Sequence, residues 1–264
     1  MYRFVVAVNK QGLSEARLAK KQTERKPLAV TINLLWADHS QRVGRTGLTL
    51  SEFIDAAMEL AGEQGAGAIS MRNLSSRLGV RSMAIYSVVP GKAELVALMV
   101  DRAYRDIYPT GQAPETRDLR MGLRQIADAN RRLHDRHPWL LELAPARSLM
   151  GPQEARKTEL ELAVLDGKGL SDLEMEKALS MLIAYVSHRS RLAIQLGIEQ
   201  ANIGLGEAEW WEQALPALKQ VYDPLEFPLV MRVANAAIAS PGDERDFGLE
   251  RILDGIEALL RPAI

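Results

Sequence analysis

Apolar residues recur at three- and four-residue steps along almost the whole chain after residue 48, and this is the spacing of one face of an α-helix. Val, Ile and Thr seldom alternate with polar residues, so signals for β-strands are scarce. Joints rich in proline or glycine interrupt the pattern near residues 109–114, 145–152 and 204–241. The pattern predicts an all-α protein of roughly ten helices.

The segment between residues 48 and 104 is the most informative part of the chain. Ser51 is a candidate N-cap for its first helix, and Ser70 is one for its second. Gly79 follows the second helix directly and favours the left-handed conformation that turns the chain sharply. A short third helix comes next, and Lys92 begins a fourth. Two short helices around a glycine turn predict a helix-turn-helix.

Charge is unevenly distributed, although the formal net charge of the 264 residues is only −1. Residues 1–47 carry nine basic and three acidic side chains. Residues 69–92 contain no acidic side chain and four basic ones, namely Arg72, Arg77, Arg81 and Lys92. Because phosphates met by cations release counterions, the acid-free window favours a nucleic-acid partner.

The chain contains no cysteine, which excludes disulfides, thiolate metal sites and cysteine nucleophiles and is typical of a reducing cytoplasm. The longest apolar runs have six residues, whereas about 18 are needed to span a bilayer. The composition therefore predicts a cytoplasmic protein without a membrane segment.

Catalytic signatures are absent from the sequence: it has no nucleophile elbow, no phosphate loop and no His-Glu-x-x-His motif. His134 and His137 are three residues apart, but Pro138 follows them, so the pair indicates the end of a helix rather than a metal site. His188 is expected to line a core or a pocket. We predict no enzyme, no metal and no cofactor. A helical-bundle enzyme is the alternative, and it needs polar groups converging on His134 or His188.

Residues 69–92, with the Leu-Gly-Val turn, the Ile-Tyr pair and the late lysine, resemble the DNA-binding domain of the tetracycline-repressor (TetR) family. The resemblance is continuous over residues 48–104. It is looser over residues 116–260, where the runs 136–139, 169–172 and 247–256 carry it. It implies three parts: a basic extension over 1–47, a three-helix helix-turn-helix domain over 48–104, and a helical ligand-binding and dimerisation domain over 105–264.

The same resemblance implies roles for individual residues. Arg72 matches a position that reaches a base edge or a phosphate, and Tyr86 and Lys92 match positions that clamp phosphates. The recognition-helix positions that touch bases or backbone are Ser82, Met83, Ala84 and Ser87. The expected partner is a palindromic double-stranded operator.

Two C-terminal helices are candidates for a subunit interface. Residues 171–196 are apolar on nearly every side, which indicates burial on every side. The last helix, residues 243–260, carries the apolar stripe Leu249, Ile252, Ile256 and Leu260. Its two glycines, Gly248 and Gly255, allow close helix approach. The resemblance implies a symmetric homodimer here; the alternative is that both helices close one monomeric core.

Most of the large aromatic residues fall in the C-terminal part. A pocket for a small-molecule effector is one interpretation, and core packing is the other. The candidate lining residues are Trp139, Tyr185, His188, Trp210, Trp211 and Phe227. The expected function is a repressor released from its operator by a small molecule. A ligand-independent, architectural DNA-binding protein is the alternative.

The basic extension has a possible role of its own. Residues 27–36 contain enough apolar side chains to dock on the C-terminal body as a helix. The joint at residues 40–47 is expected to be flexible, and it carries Arg42 and Arg45. Arginines on such an arm can enter the minor groove beside the recognition helix. The alternative is a solvated leader, or an artefact of the assigned start codon.

Overall fold

The computed structural model describes residues 28–44, 46–109, 111–223, 225–239 and 244–260. These residues contain no β-strand, and the prediction of an all-α protein is confirmed. They form twelve α-helices: α1 (Leu28–Leu35), α2 (Leu50–Gln64), α3 (Met71–Leu78), α4 (Ser82–Tyr86), α5 (Lys92–Tyr104), α6 (Leu119–Arg136), α7 (Leu140–Leu143), α8 (Pro152–Leu162), α9 (Asp172–Ile203), α10 (Glu207–Val221), α11 (Pro228–Ala239) and α12 (Glu244–Glu257).

The chain divides into two compact units. The first comprises the described residues up to Ala113 together with Arg136–Leu160. The second comprises Pro114–Asp135 and the described residues from Glu161 onward. The predicted boundary at residue 104 stays a prediction, because the structural units assign residues 136–160 to the same unit as the helix-turn-helix.

Capping side chains set the start of the helices in the first unit. The N-cap of α2 is Thr49, whose hydroxyl accepts from the backbone N–H of Glu52 while the Glu52 carboxylate accepts from the Thr49 backbone. The prediction that Ser51 is this cap is wrong. Ser51 is the second residue of the helix, and its hydroxyl accepts a hydrogen bond from the Arg102 guanidinium. Ser70 caps α3 as predicted, accepting from the N–H of Asn73 at 3.1 Å.

Gly79 makes the turn between α3 and α4. It has a φ of 66° and a ψ of 25°, in the left-handed region that costs a side-chain-bearing residue energy. Helix α4 is held inward by Ile85, which is fully buried. The unit's core is completed by apolar side chains of α2, α3 and α5, namely Phe53, Ile54, Leu74, Leu95, Leu98 and Met99. The glycine turn and this core fix how α4 is presented.

Helix α1 precedes the helix-turn-helix and packs on α5. Its contact side chains are Thr31 and Leu35, which are buried, whereas Leu28 is 68% exposed. The helix predicted within residues 27–36 is therefore present. The docking surface differs in part from the expectation: α1 lies against α5, a helix of the predicted DNA-binding segment. Trp36, just after α1, donates its indole N–H to the carbonyl oxygen of Met150, in the predicted C-terminal part, at 3.2 Å.

The second unit is built around the long helix α9. Its N-cap is Ser171, the first residue of the predicted stretch, and it continues to Ile203, seven residues beyond the predicted end. Apolar side chains from α6, α9 and α12 form one core with residues 164–165: Leu119, Leu123, Ile126, Ala127, Val164, Leu165, Ala178, Leu179, Leu182, Val186, Leu253 and Ile256. Helices α9 and α12 thus pack against each other within one protomer.

Candidate nucleic-acid interface and effector cavity

Helix α4 presents a short, exposed face to solvent. Met83 is 78% exposed and Tyr86 is 47% exposed. Ser82 and Ser87 are also exposed, and Ala84 is half-buried. With Ile85 anchoring the opposite side, the predicted base- and backbone-contacting positions therefore lie on one five-residue helix, with Ser87 immediately after it.

Both serines of this face make hydrogen bonds within the protein. The Ser75 hydroxyl donates to the carbonyl oxygen of Arg72 at 2.7 Å, so the Ser82 hydroxyl is the donor in its 2.9 Å bond with Ser75. The Ser87 hydroxyl donates to the carbonyl oxygen of Ala84 at 2.7 Å. Since a hydroxyl has one proton and two lone pairs, Ser87 in this arrangement offers only an acceptor to a ligand.

The four basic residues of the acid-free window differ in their surroundings. Arg72, Arg81 and Lys92 are exposed. Arg77 instead bonds two carboxylates of α2, at 2.7 Å to Glu63 and 2.9 Å to Glu59. The pKa of Arg77 is raised mainly by its hydrogen bonds to Glu63, with a smaller contribution from its hydrogen bond to Glu59. The charge of Arg77 is thus compensated inside the unit, which leaves three cations of the window without a carboxylate partner among the described residues.

The joint between α1 and α2 is hydrogen-bonded, which differs from the flexible joint that we expected. The backbone N–H of Val43 donates to Leu48 at 2.9 Å, and Arg42 pairs with Thr49 in an antiparallel bridge. Gly44 faces the end of α4: a Cβ there would lie 3.3 Å from Ser87 Oγ.

This joint therefore lies beside the candidate recognition surface. Arg42 is exposed. Its Nη1 would lie 3.8 Å from a Cβ at Gly47. The other predicted arm residue, Arg45, lies outside the described residues.

A half-open cavity of about 170 Å³ lies in the second unit. Helices α6, α9 and α12 line it, the last through Leu249. Its polar lining includes Asp128 and Arg131, joined by an ion pair of 2.9 Å. The lining residues on α6 and α9 are Ala127, Asp128, Arg131, Asp135, Tyr185, Val186, Arg189, Ser190 and Ala193.

Sequence reasoning missed most of this polar lining. Asp128, Arg131 and Asp135 recur at three- and four-residue steps, and this spacing places them on one helical face. That spacing was the available signal. It does not distinguish a cavity wall from a solvated face.

The predicted pocket residues are dispersed. Tyr185 lines the cavity, and His188 is exposed instead of lining a core. Trp139 is 2% exposed in the first unit, with its ring 5.5 Å from that of His137.

The remaining three lie in or near α10 and α11. Trp210 and Trp211 form an edge-to-face pair on α10 with centroids 4.8 Å apart. Phe227 is 39% exposed and packs edge-on against Tyr222. Their assignment to an effector pocket stays a prediction.

The predicted interface stripe on the last helix packs largely inside the protomer. Ile256 is fully buried in the core of the second unit. Leu249, Ile252 and Leu260 are partly buried against the same core. The structure thus gives this stripe the role that the alternative, a core within one protomer, assigns to it. A subunit interface through these four residues stays a prediction.

The end of helix α6 lies between His134 and His137 in the chain. His134, within the helix, is 7% exposed, and its Nδ1 lies 3.2 Å from Ser190 Oγ. His137 follows the helix end, and burial lowers its pKa. Within the described ranges, no three histidine or carboxylate side chains gather as a metal-binding group. None of the helices described has the length and hydropathy needed to cross a bilayer.

Two sequence families match this chain. Residues 53–99 match the bacterial regulatory proteins of the tetR family, and residues 111–260 match the tetracyclin repressor-like C-terminal domain. The chain belongs to the TetR family. The predicted membership of the chain in this family is confirmed. The helix-turn-helix is the family's DNA-binding domain.

Individual TetR-family proteins show the same relationship. The HTH-type transcriptional repressor DrrR1 of Streptomyces coeruleorubidus is 33% identical over 88% of this chain and 87% of its own length. The HTH-type transcriptional repressor Rv1353c of Mycobacterium tuberculosis is 28% identical over 81% of this chain and 82% of its own length. The Streptomyces coelicolor protein ActR, solved in complex with actinorhodin, shares the fold with a TM-score of 0.67 at 22% identity, over 82% of this chain and 99% of ActR.

Proposed function

We propose that this TetR-family regulator is a homodimeric, cytoplasmic repressor that binds a palindromic operator through α4 and leaves it when a small molecule occupies the second unit. The exposed face of α4 carries the proposal: Met83 and Tyr86 project from it. A helix of this kind enters the major groove, and a symmetric dimer requires a palindromic site with half-sites about one helical turn apart.

The exposed cations suit the phosphate backbone. Lys92 begins α5 and Tyr86 ends α4, so these two side chains flank the turn after the recognition helix. We assign them to phosphates, which position the protein without reading sequence. Arg72, near the start of α3, is assigned to a base edge or a phosphate, and Met83 to a thymine methyl group.

The bonding of Ser87 narrows its role. Because its proton is donated to Ala84, its oxygen can only accept. A phosphate oxygen cannot donate, whereas the amino groups of cytosine and adenine can. We therefore assign Ser87 to a base amino group. The same assignment holds for Ser82: Ser75 donates its proton to Arg72, so Ser82 donates to Ser75 and its oxygen can only accept from a ligand.

The cavity lined by Tyr185 is the proposed effector site. Its volume of about 170 Å³ is below the ~300–1,000 Å³ typical of small-molecule sites. Effector entry must therefore enlarge it, and the proposed moving part is the Tyr185 ring. The complex of ActR with actinorhodin supports the proposal by showing that a protein of this fold takes a small molecule. A cavity that never opens would favour the ligand-independent alternative.

The proposed subunit contact uses side chains that the protomer leaves exposed. On α9, Met181 is 42% exposed. On α12, Phe247 is 69% exposed, and Leu259 beyond it is 43% exposed. Gly255 of α12 is also exposed, and a Cβ there would meet nothing within 4 Å. Apolar side chains beside an open glycine suit a helix of a second copy.

The proposal includes no catalytic step. The enzyme alternative needs polar groups converging on His134 or His188. The described contact of His134 is a hydrogen bond with Ser190, and His188 is exposed.

The test is selection of binding sites from random duplex DNA, followed by fluorescence anisotropy. We expect a palindrome bound by two chains, and about 10³-fold or greater preference over a scrambled duplex. Tyr86→Ala should weaken binding to both duplexes alike. Selection of a site without two-fold symmetry would overturn the dimeric operator. A library of small molecules is then screened for release of that duplex. Its hits should lose effect in Arg131→Ala, and hits that keep their full effect there would overturn the cavity assignment.

A further inference from the structure

A large groove of about 1,120 Å³ lies in the first unit, apart from the proposed effector cavity. Three stretches line it: helix α1, helix α5, and the segment from Ala144 to the start of α8. Of the side chains that line it, the proposed repressor mechanism uses only Lys92. The volume of the groove is slightly above the ~300–1,000 Å³ typical of sites for organic molecules of drug size, so such a molecule fits without any enlargement.

The groove has an extended apolar lining. Leu28, which is 68% exposed, forms part of the wall from α1. The α5 wall contributes Ala97, Val100 and Tyr104, and the opposite segment contributes Leu149. Such a surface favours a ligand with a hydrophobic body, because its burial removes apolar area from water.

Glu94 is an unusual member of this lining. It lies on α5 and is 8% exposed. Among the described residues it has no hydrogen-bond or ion-pair partner. A carboxylate that is largely removed from water and has no partner is costly. A cation bound in the groove would reduce that cost.

Two more carboxylates line the same groove. Asp101 lies two turns after Glu94 and is 4% exposed. Burial raises its pKa, although it accepts from the backbone N–H groups of Gln153 and Glu154 at 3.0 Å each. Burial also raises the pKa of Glu154, and the Asp101 charge raises it further. The charge of Lys157 offsets part of the shift at Glu154, and the charges of His39 and Arg102 offset part of it at Asp101. Glu94 is therefore the carboxylate of this lining for which the described residues provide no partner.

The two cationic side chains of the lining do not pair with Glu94. Lys92 and Arg147 line the groove, and both are exposed. Neither forms an ion pair with Glu94 among the described residues. The groove therefore combines apolar walls with an unneutralised, buried carboxylate.

We propose that this groove binds an amphipathic organic cation, with its hydrophobic body against α1 and α5 and its positive charge at Glu94. Charge attraction is strong in such a partly desolvated place. The site is distinct from the cavity in the second unit, so it would hold a second ligand of this regulator.

The experiment uses two ions of the same shape and opposite charge, tetraphenylphosphonium and tetraphenylborate. Isothermal titration of the full chain should show one phosphonium ion bound per chain. The affinity for the borate ion should be at least about tenfold lower. Equal affinity for the two ions would overturn the proposal, because shape alone would then decide binding.

Three variants locate the charge and the walls. Glu94→Gln, which keeps size and shape, should weaken phosphonium binding about tenfold. The matched control is Glu142→Gln, at an exposed carboxylate of α7 outside the groove, and it should bind as the wild type does. Equal loss in both would overturn the site in favour of diffuse surface attraction. Ala97→Phe should block binding by filling the groove, with circular dichroism confirming its helical content.

A fourth variant separates this proposal from the repressor mechanism. Arg131→Ala alters the effector cavity of the second unit and should leave phosphonium binding unchanged. Phosphonium binding lost in Arg131→Ala but kept in Glu94→Gln would overturn the groove and leave the effector cavity intact. Operator affinity measured on the same samples reports separately on the repressor function.

Discussion

The ring of Tyr185 lies directly on the backbone of Gly248. A Cβ at position 248 would be 2.7 Å from Tyr185 Cε2 and 2.8 Å from its Cζ, and still closer to the hydroxyl oxygen. The close approach predicted for this glycine therefore occurs within one protomer, between α9 and α12. Since Tyr185 also lines the proposed effector cavity, Gly248 determines where one wall of that cavity lies.

Replacing Gly248 with alanine should displace the Tyr185 ring. We expect Gly248→Ala to lower the free energy of unfolding by about 1–3 kcal/mol, the usual cost of overpacking. Urea denaturation followed by circular dichroism measures it. The control is Gly62→Ala in α2, where a Cβ meets nothing within 4 Å and about 0.5–1 kcal/mol should be gained. A Gly248→Ala protein as stable as Gly62→Ala would contradict the ring placement.

Arg77 and Lys92 should differ in their effect on DNA binding. Lys92→Ala should lower the slope of log affinity against log salt by about 1, because one phosphate contact is lost. Arg77→Ala should leave that slope unchanged, since the charge of Arg77 is held by Glu59 and Glu63. It should instead lower the urea midpoint. Anisotropy titrations at several salt concentrations compare the two variants, and a lowered slope for Arg77→Ala would contradict the assignment.

Asp101 should make stability depend on pH. Its pKa in the folded protein lies above the ordinary 3.8 because of burial, so the folded state holds the proton more tightly than the unfolded chain. The stabilisation is full below that ordinary value and is lost as pH rises through the raised pKa. Relative to wild type, Asp101→Asn should therefore gain stability as pH rises above the ordinary value of 3.8. Urea denaturation across this range measures the difference.

Asp254 provides a control of opposite sign. Hydrogen bonding from Arg120 lowers its pKa, so its contribution to stability is present above the ordinary value and is lost as pH falls. Asp254→Asn should lose stability relative to wild type as pH rises. Parallel trends for the two variants would show that the Asp101 effect is not specific.

Met181 and Ile256 should separate dimerisation from folding. Met181→Glu changes a side chain that is 42% exposed in the protomer, so it should yield folded monomers. Ile256→Glu places a carboxylate in a fully buried position and should cost about 3 kcal/mol or more of protomer stability. Sedimentation velocity and circular dichroism distinguish the outcomes. A dimeric Met181→Glu protein would move the interface elsewhere.

The arginines of the joint should act through the salt dependence of binding. Deletion of residues 1–46 is a poor test, because it removes Leu35, which is 2% exposed in the first unit's core. Point variants avoid this. Arg42→Ala combined with Arg45→Ala should lower the salt slope by about 2 if both contact the minor groove. An unchanged slope and affinity would contradict the minor-groove arm.

Local signals in the sequence determined the helices and the motif. The three- and four-residue spacing of apolar positions predicts the all-α class. Ser70 and Gly79 act as predicted, and Ile85 anchors the short helix α4. These features depend on neighbours within a few residues: a cap, a positive φ and an anchoring side chain. The choice of Ser51 as a cap was wrong because Thr49 forms a capping box with Glu52, and both serine and threonine suit that position.

Only the tertiary structure decided which side chains meet across distant segments. Arg77 is paired by carboxylates 14 and 18 residues before it, so a count of charges within residues 69–92 overstated the free cations. Glu94, Asp101 and Glu154 share one groove only because α1, α5 and the segment after Ala144 pack together. Apolar periodicity shows which face of a helix is buried. Apolar periodicity does not show whether α12 packs in the core of its own protomer or on a partner subunit. Either arrangement removes the same apolar side chains from water.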